Sequence, residues 1–287
     1  MPVSDDVVDR HLAELAQRRR SEGTIYARRR ALARMAAAIG VPLLRAAPDD
    51  LTEWLDDLEV IDNTIVHYAS HARCFYRWAV RKRLVDVNPM DEVIVPVLVR
   101  GLPRPISEED LMRAIAGAPQ PIRIWLVLAG WAGLRCCEIA PLRRENVLDT
   151  ATPPVLLIAP DATKGRRGRI VPLCSFAVAE LHLAGMPRAG YIFRRADGRP
   201  GANRPAVISH ATAAYLHESG IDATIHQARH RFGTKTYQAK KDLRLVQDLM
   251  GHADPATTAG YAAYCQADGI DAVEALPVPA RLRAVGE

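Results

Sequence analysis

The chain has 287 residues, of which 49% are hydrophobic and 25% are charged, and its formal net charge is +5. This composition is typical of a soluble globular protein with one large or two ordinary domains, and no run of about 18 apolar residues suggests a membrane span. The sequence has no secretory signal pattern and no CxxC pair among its five cysteines, so we expect a cytoplasmic protein without a disulfide framework or a zinc site.

Helical periodicity predicts four helices in the first hundred residues. The predicted helices start near Ser4, Thr24, Pro48 and Asn63, with Thr24 as the cap of the second. Their apolar and aromatic stripes are expected to form a core rather than a platform for stacking bases. We therefore predict a helical domain over residues 1–90.

The composition of the chain changes after this helical region. Asn88-Pro89 breaks the fourth helix, and residues 91–105 contain three further prolines and a glycine. Such a frequency of helix-breaking residues indicates an extended linker between domains. A helix restarts at Ser107, which is followed by three acidic residues in a pattern that resembles a capping box.

Residues 106–287 are predicted to form a second, mixed domain. Two short strands are expected at residues 155–158 and 169–172, joined by a basic, glycine-containing loop. The predicted helices of this domain cover about residues 107–117, 121–133, 175–185, 203–219, 227–239, 242–250 and 255–264. The expected fold class is thus mainly α with a small β-sheet.

Short basic runs are scattered along the chain. A single run is usually a solvated helix face, but several in one chain favour contacts with the phosphates of a nucleic acid. The residues expected to bind DNA are Arg28, Arg29, Arg30, Arg81, Lys82, Arg83, Arg166 and Arg167.

Three separated segments combine helix signals with residues suited to an anionic phosphate. They are AGLRCCEI at residues 132–139, HQARHR at residues 226–231, and LMGHADPATTAGY at residues 249–261. Taken singly, each segment has an ordinary interpretation. Arg135 and Glu138 fit an exposed i,i+3 salt bridge, and a tyrosine on an alanine-rich helix is normally a packing residue. A zinc site on His226 and His230 is disfavoured, because Gln227 stands where a metalloprotease has its glutamate.

Taken together and in this order, the three segments resemble the signature boxes of tyrosine site-specific recombinases of the phage integrase family. The basic loop with Lys164 also lies where that family has one, and the first domain is similar to the family's helical core-binding (SAM-like) domain. The resemblance implies that Arg135, Lys164, His226, Arg229, His252 and Tyr261 are catalytic. It further implies that Glu138 and His230 support the site.

The resemblance implies a specific chemistry for these residues. The two arginines would hold the non-bridging phosphate oxygens, Lys164 would protonate the departing 5′ oxygen, and Tyr261 would form a 3′-phosphotyrosyl link. His226 would accept the tyrosine proton or donate to the phosphate, as His252 would. The sequence has no GxxxxGK[ST] motif, and exchange of phosphodiesters needs no ATP, so no cofactor or metal is expected.

Two other functions remain open at this point: a type IB topoisomerase, and a non-catalytic DNA-binding protein. Tyr264 is a rival nucleophile, although the motif register favours Tyr261. Within the family, the sequence favours an integrase without an arm-binding domain over a recombinase that resolves chromosome or plasmid dimers.

The family resemblance also predicts the partners. We expect double-stranded DNA core or attachment sites, a free monomer that forms a tetramer on DNA, and a directionality or host accessory factor. The segment after Tyr264 is the predicted contact with a neighbouring protomer, and no membrane association is expected.

Overall fold

The computed structural model describes residues 4–98, 101–160, 168–195 and 197–251. The chain divides into two compact units, Met1–Gly101 and Leu102–Glu287. Each unit has its own hydrophobic core. The division lies within residues 91–105, and the assignment of that whole segment as a linker stays a prediction.

The described part of the first unit is helical. Its α-helices are α1 (Ser4–Gln17), α2 (Glu22–Ala38), α3 (Pro48–Asp56) and α4 (Asp62–Arg81). Their apolar stripes meet in one core, where Leu32, Phe75 and Tyr76 are completely buried. The prediction that these stripes form a core is therefore confirmed.

Helix α2 begins earlier than the sequence predicted. Its N-cap is Ser21, whose side-chain oxygen accepts a hydrogen bond from the backbone N–H of Thr24 at 3.2 Å. Thr24 is thus inside the first turn of the helix, and its prediction as the cap was wrong. Serine and threonine both serve as caps, so the sequence offered two candidates three residues apart.

Arg28 is buried in the first unit, with only 8% of its surface exposed. Its Nε donates to Nδ1 of His71 at 2.9 Å, and its Nη1 lies 3.3 Å from Nε2 of His11. Arginine can only donate, so both imidazole nitrogens must be unprotonated acceptors. The prediction that Arg28 contacts DNA is therefore corrected: this guanidinium is buried and bonded to the imidazoles of His11 and His71 instead of facing solvent.

The second unit combines helices with a small antiparallel sheet. Its α-helices are α5 (Glu108–Gly117), α6 (Ile122–Ala132), α7 (Cys136–Ile139), α8 (Ser175–Leu183), α9 (Pro205–Glu218), α10 (Ile225–Lys240) and α11 (Leu243–Met250). Its strands are β1 (Val147–Leu148), β2 (Val155–Ile158) and β3 (Arg169–Pro172), in the order β1-β2-β3. The predicted fold class, mainly α with a small sheet, is confirmed.

The sequence predicted β2 and β3 but missed β1 and the four-residue helix α7. Strands β2 and β3 are antiparallel neighbours, with Ile158 opposite Arg169. Between them, residues 161–167 lie outside the described residues, and so does the helix predicted at residues 255–264.

Helix α6 lies at the centre of the second unit. Most of its residues are buried, and it packs against α5, α8, α9 and α10. This burial fixes the end of α6, where the first signature segment begins. Among the described residues, no helix is both long enough and apolar enough to cross a membrane.

We predict that the free energy of unfolding decreases as the pH falls from 6.5 towards 4. Burial, followed by the charge of Arg28, lowers the pKa of His11 from 6.5 to about 4. The unfolded chain therefore takes up a proton first, and the stabilisation that is complete above pH 6.5 is lost on acidification. The part of this loss that His11 causes is about 3 kcal/mol at most.

Urea unfolding near pH 7 and near pH 4.5 measures this loss. The control is His11→Gln, which keeps a neutral acceptor for Arg28 but does not titrate. We expect the variant to lose less stability between the two pH values than the original protein. The same pH dependence in both proteins would contradict the assignment to His11.

Candidate active site

The turn after α6 requires glycine and sets the position of Arg135. Gly133 ends the helix with φ +63°, in the left-handed region. A Cβ atom on Gly133 would lie 2.4 Å from Cδ1 of Phe232, so no side chain fits there. Arg135 is the N-cap of α7, and its backbone N–H donates to Oε2 of Glu138 at 2.9 Å.

Glu138 is a buried carboxylate that three arginines share. Only 1% of its surface is exposed. Nη1 of Arg135 is 3.0 Å from Oε1, and Nη1 and Nη2 of Arg169 donate to Oε1 and Oε2 at 2.7 Å and 2.9 Å. Nη1 of Arg229 lies 3.8 Å from Oε2. The pair Arg135–Glu138 is therefore part of a buried network and not an exposed salt bridge.

This cluster is electrostatically suited to an anion. Burial alone would raise the pKa of Glu138, but the hydrogen bonds and charge of Arg169, with smaller contributions from Arg135 and Arg229, lower it below its usual range. Glu138 is thus ionised at neutral pH. Within the described residues, three guanidinium groups surround one carboxylate, which leaves the cluster with a net positive charge.

The same three arginines also hold the C-terminal end of α11. Three consecutive carbonyl oxygens at this end each accept a hydrogen bond from a different arginine. The bonds are Arg169 Nε to Leu249 O at 2.8 Å, Arg229 Nη2 to Met250 O at 2.7 Å, and Arg135 Nη2 to Gly251 O at 3.1 Å. Such terminal carbonyls have no partner within the helix and carry its partial negative charge, so guanidinium groups stabilise them.

Helix α10 contributes the second signature segment. It begins after Thr224, whose backbone N–H donates to the side chain of Gln227 at 2.8 Å. Arg229 points inward: 2% of its side chain is exposed, and it also donates to the carbonyl oxygen of Gly133. Arg231 instead stacks on Trp131, with its guanidinium 4.4 Å from the ring centroid, and so connects α10 to α6.

The two histidines of this segment are next to each other. The ring centroids of His226 and His230 are 4.8 Å apart, edge to face. Desolvation, followed by the charges of Arg229 and Arg135, lowers the pKa of His226. Desolvation, followed by the charges of His226 and Arg229, lowers the pKa of His230 to about 4. Both imidazoles are therefore neutral at pH 7.

The structure brings together Arg135, Glu138 and Arg229. His226 is close enough to both arginines for their charges, after desolvation, to lower its pKa. The remaining predicted site residues lie outside the described residues: Lys164, Arg166, Arg167, His252 and Tyr261. In the part of the chain that the structure describes, no group of His, Cys, Asp and Glu side chains could hold a metal ion.

Arg169 belongs to the cluster, although the sequence did not predict it as a site residue. It is the first residue of β3, and it was part of the basic run that starts at Lys164. Its partner Glu138 is 31 positions away. The sequence shows an arginine at the start of a predicted strand, next to the basic loop. This position alone does not indicate whether the side chain faces solvent or the interior.

The other basic residues predicted on the first unit are exposed, in contrast to Arg28. Some already have acidic partners: Arg29 is 2.7 Å from Asp9, and Lys82 is 3.0 Å from Glu14. The guanidinium of Arg30 lies 5.9 Å from the ring centroid of Tyr26. Arg81 and Arg83 are likewise exposed. Exposed ion pairs such as that of Arg29 with Asp9 are weak, and the binding of these side chains to DNA stays a prediction.

The second unit is a mixed helical fold, and its arginine cluster has a net positive charge, which is compatible with a substrate that carries phosphate groups. The model of the phage integrase family matches residues 106–267, more than half of the chain. Tyrosine recombinase XerC of Xanthomonas axonopodis pv. citri is 29% identical over 67% of this chain, and the match spans 64% of that relative's length. Tyrosine recombinase XerC 1 of Ralstonia nicotianae is 31% identical over 78% of this chain and 77% of the relative.

A solved structure has the same fold. The structure of a lambda integrase dimer bound to a COC′ core site matches with a TM-score of 0.70 and 14% identity, covering 89% of this chain and 76% of that one. The chain therefore belongs to the phage integrase family, the tyrosine recombinases, which are enzymes that transfer DNA strands.

We predict that Gly133→Ala destabilises the protein more than Gly185→Ala. Both glycines have positive φ, but a Cβ on Gly185 would meet nothing within 4 Å. Gly185→Ala should therefore cost only the backbone strain, about 1 kcal/mol. Gly133→Ala adds the collision with Phe232. Urea unfolding of the two variants measures the difference, and equal losses would show that the ring moves away without cost.

Proposed function

We propose that this chain cuts and rejoins duplex DNA at specific sites through a 3′-phosphotyrosyl intermediate on Tyr261. One observation carries the proposal: arginines from the first signature segment, the second segment and β3 converge on Glu138 and on the end of α11. His252 follows Gly251 directly in the sequence, and Tyr261 comes nine residues after His252. A phosphate bound at Arg135 would then be adjacent to the start of the third segment.

The proposed reaction exchanges one phosphodiester for another. The hydroxyl oxygen of Tyr261 attacks the phosphorus, the bond to the 5′ oxygen breaks, and Lys164 gives that oxygen a proton. In the second step a 5′ hydroxyl attacks the phosphotyrosine, and the tyrosine leaves. The number of phosphoester bonds is unchanged, so the energy of the cleaved bond is conserved for rejoining.

Arg135 and Arg229 are proposed to stabilise the charge that gathers on the non-bridging oxygens. A guanidinium can donate two parallel hydrogen bonds and stays charged at any working pH. Preorganised donors of this kind contribute about 2.7–4 kcal/mol each to catalysis. Glu138 holds the arginines in place, His252 adds a donor to the phosphate, and His230 supports His226.

His226 is proposed as the base that accepts the proton of Tyr261. Its lowered pKa keeps the imidazole neutral at pH 7, which is the form that can take a proton. The neighbouring arginines cause part of this lowering, so the groups that bind the phosphate also keep the base unprotonated. The role of Lys164 rests on the family resemblance, whereas that of His226 also rests on its position on α10 together with Arg229.

The first unit is proposed to bind the core site, with residues 1–90 as the core-binding domain, 91–105 as the linker and 106–287 as the catalytic domain. The proposed partners are double-stranded DNA core or attachment sites and three further copies of the chain, assembled from free monomers. A directionality or host accessory factor completes the proposed assembly.

The proposed cellular role is integration and excision of a mobile element. Resolution of chromosome or plasmid dimers is the second candidate, because both curated relatives described above are named XerC. A recombination assay separates the two roles. Integration joins sites on two separate plasmids, whereas resolution converts a plasmid dimer into monomers and need not join separate plasmids.

We predict that Tyr261→Phe abolishes the covalent adduct with DNA but leaves DNA binding intact, because only the nucleophilic oxygen is removed. The first experiment traps adducts on sheared, randomly nicked genomic DNA of the source organism, since a nick lets the cleaved end diffuse away. Sequencing the trapped DNA defines the site, and peptide mapping identifies the attached residue.

Tyr264→Phe is the matched control and should still form the adduct. Attachment at Tyr264 would refute the assignment of the nucleophile. Absence of any adduct, together with intact DNA binding, would favour a non-catalytic DNA-binding protein. Relaxation of supercoiled plasmid without site preference would favour a type IB topoisomerase.

We predict that Arg83→Ala weakens DNA binding by a similar factor on the trapped site and on an unrelated duplex. A phosphate contact carries no sequence information, and its loss should reduce the salt dependence of binding by about one unit. Titrations at several salt concentrations measure this slope. Arg10→Ala, on an exposed residue of α1 outside the basic runs, should leave the slope unchanged.

A further inference from the structure

We infer that Arg169 is a positioning residue that fixes Arg135 and the end of α11 for strand cleavage. The inference rests on the proposed function and assigns to Arg169 a role that the signature segments do not include. One side chain, at the start of β3, contacts both the buried carboxylate behind Arg135 and the backbone that leads into His252.

The guanidinium of Arg169 is committed to protein groups. Its side chain is only 9% exposed. Each of its three nitrogens has a partner: Nη1 and Nη2 bind the two oxygens of Glu138 at 2.7 Å and 2.9 Å, and Nε binds Leu249 O at 2.8 Å. This geometry suits a group that orients other residues of the site.

Through Glu138, Arg169 controls the orientation of Arg135. Oxygen Oε1 of Glu138 accepts from Nη1 of both arginines, and Oε2 accepts from Nη2 of Arg169 and from the backbone N–H of Arg135. Without Arg169, the carboxylate loses half of these hydrogen bonds and the strongest influence that keeps it ionised. Its plane would then no longer be fixed, and Arg135 would lose its orientation with it.

Arg169 also packs directly against Gly251. A Cβ on Gly251 would lie 2.8 Å from Nη1 and 3.1 Å from Cζ of Arg169. Gly251 has φ +62° and is the C-cap of α11, and its carbonyl oxygen accepts from Arg135. The glycine thus lies between the two arginines, so a shift of Arg169 would change the direction in which the chain leaves α11 at Gly251.

Lysine cannot replace arginine in this role. An ammonium group provides one charged nitrogen and cannot bind both carboxylate oxygens and a carbonyl in a fixed plane. Arg169→Lys therefore keeps the charge next to Glu138 but removes the geometry. Arg169→Gln removes both. If the rate of adduct formation decreases in both variants by more than their loss of stability explains, Arg169 has a positioning role.

The chain offers a closely matched control. Arg123 binds both oxygens of Glu180, at 2.7 Å and 2.5 Å, and its Nη1 donates to Ile115 O at 2.7 Å. Like Glu138, Glu180 is buried, and like Arg169, Arg123 combines a bidentate ion pair with one carbonyl. None of these contacts involves a signature segment. Arg123→Gln therefore reports the structural cost of losing such an arrangement.

The experiment measures adduct formation in a single turnover on a nicked synthetic duplex carrying the trapped site, together with DNA affinity and thermal stability. We expect Arg169→Gln to form the adduct at least about 100-fold more slowly, since a small misplacement of a catalytic group can cost that much. The DNA affinity of this variant should stay within about threefold of that of the original protein. Arg123→Gln should lower the melting temperature but change the rate by less than about threefold at a temperature where it is folded.

A second substrate separates positioning from general damage. In a methylphosphonate duplex, one non-bridging oxygen of the scissile phosphate is replaced by a methyl group, which leaves less negative charge for Arg135 to stabilise. On each duplex, the rate of the original protein is divided by that of Arg169→Gln. If Arg169 acts through Arg135, this ratio should be at least about tenfold smaller on the methylphosphonate duplex than on the ordinary duplex. A structural defect would leave the ratio unchanged.

Two results would overturn the inference: equal loss of rate in Arg169→Gln and Arg123→Gln, or the same rate ratio on both duplexes. If Arg169→Gln does not fold, the comparison of Arg169→Lys with Arg123→Lys gives the same decision. Failure of the proposed function is distinguishable, because the unsubstituted protein would then form no adduct on either duplex.

Discussion

The carboxylate of Glu138 is the contact on which the described part of the active site depends. It is buried, it stays ionised because arginines surround it, and each of its oxygens serves two donors. A buried ion pair contributes little net stability compared with apolar packing, but removal of one partner leaves an uncompensated charge that costs several kcal/mol. Any arrangement that keeps Glu138 buried must therefore keep its arginines in place, which preorganises the cluster before DNA binds.

The end of α11 provides the second half of this constraint. Helices end with carbonyl groups that lack partners, and here three successive ones are satisfied by three arginines. The helix end and the carboxylate together fix each guanidinium from two sides. The cost of ordering the arginines is met during folding, so it does not have to be met again when negative charge develops on a phosphate.

The two units use buried arginines in different ways. Arg28 in the first unit faces two neutral imidazoles, whereas Arg169 and Arg229 in the second unit face a carboxylate and backbone carbonyls. The first arrangement makes the protonation of His11 unfavourable and links stability to pH. The second keeps a cluster of positive charge inside the protein, where the low dielectric strengthens its attraction for an anion.

The sequence by itself determined the helical faces, the two main strands and the three signature segments, because these depend on spacing along the chain. Residues three or four positions apart share a helix face, so the amphipathic stripes and the link between His226 and Arg229 could be predicted. The order of the segments was enough to indicate the family and to name Arg135, Arg229 and Glu138.

Only the tertiary structure decided which basic residues are buried and what they contact. Arg28 and Arg169 stand in basic runs similar to those of exposed arginines, yet one packs against two histidines and the other binds Glu138 across 31 positions. The direction of such side chains is set by the docking of helices and strands that are distant in the sequence. Local spacing carries no information about that docking, because it follows from the packing of the whole core.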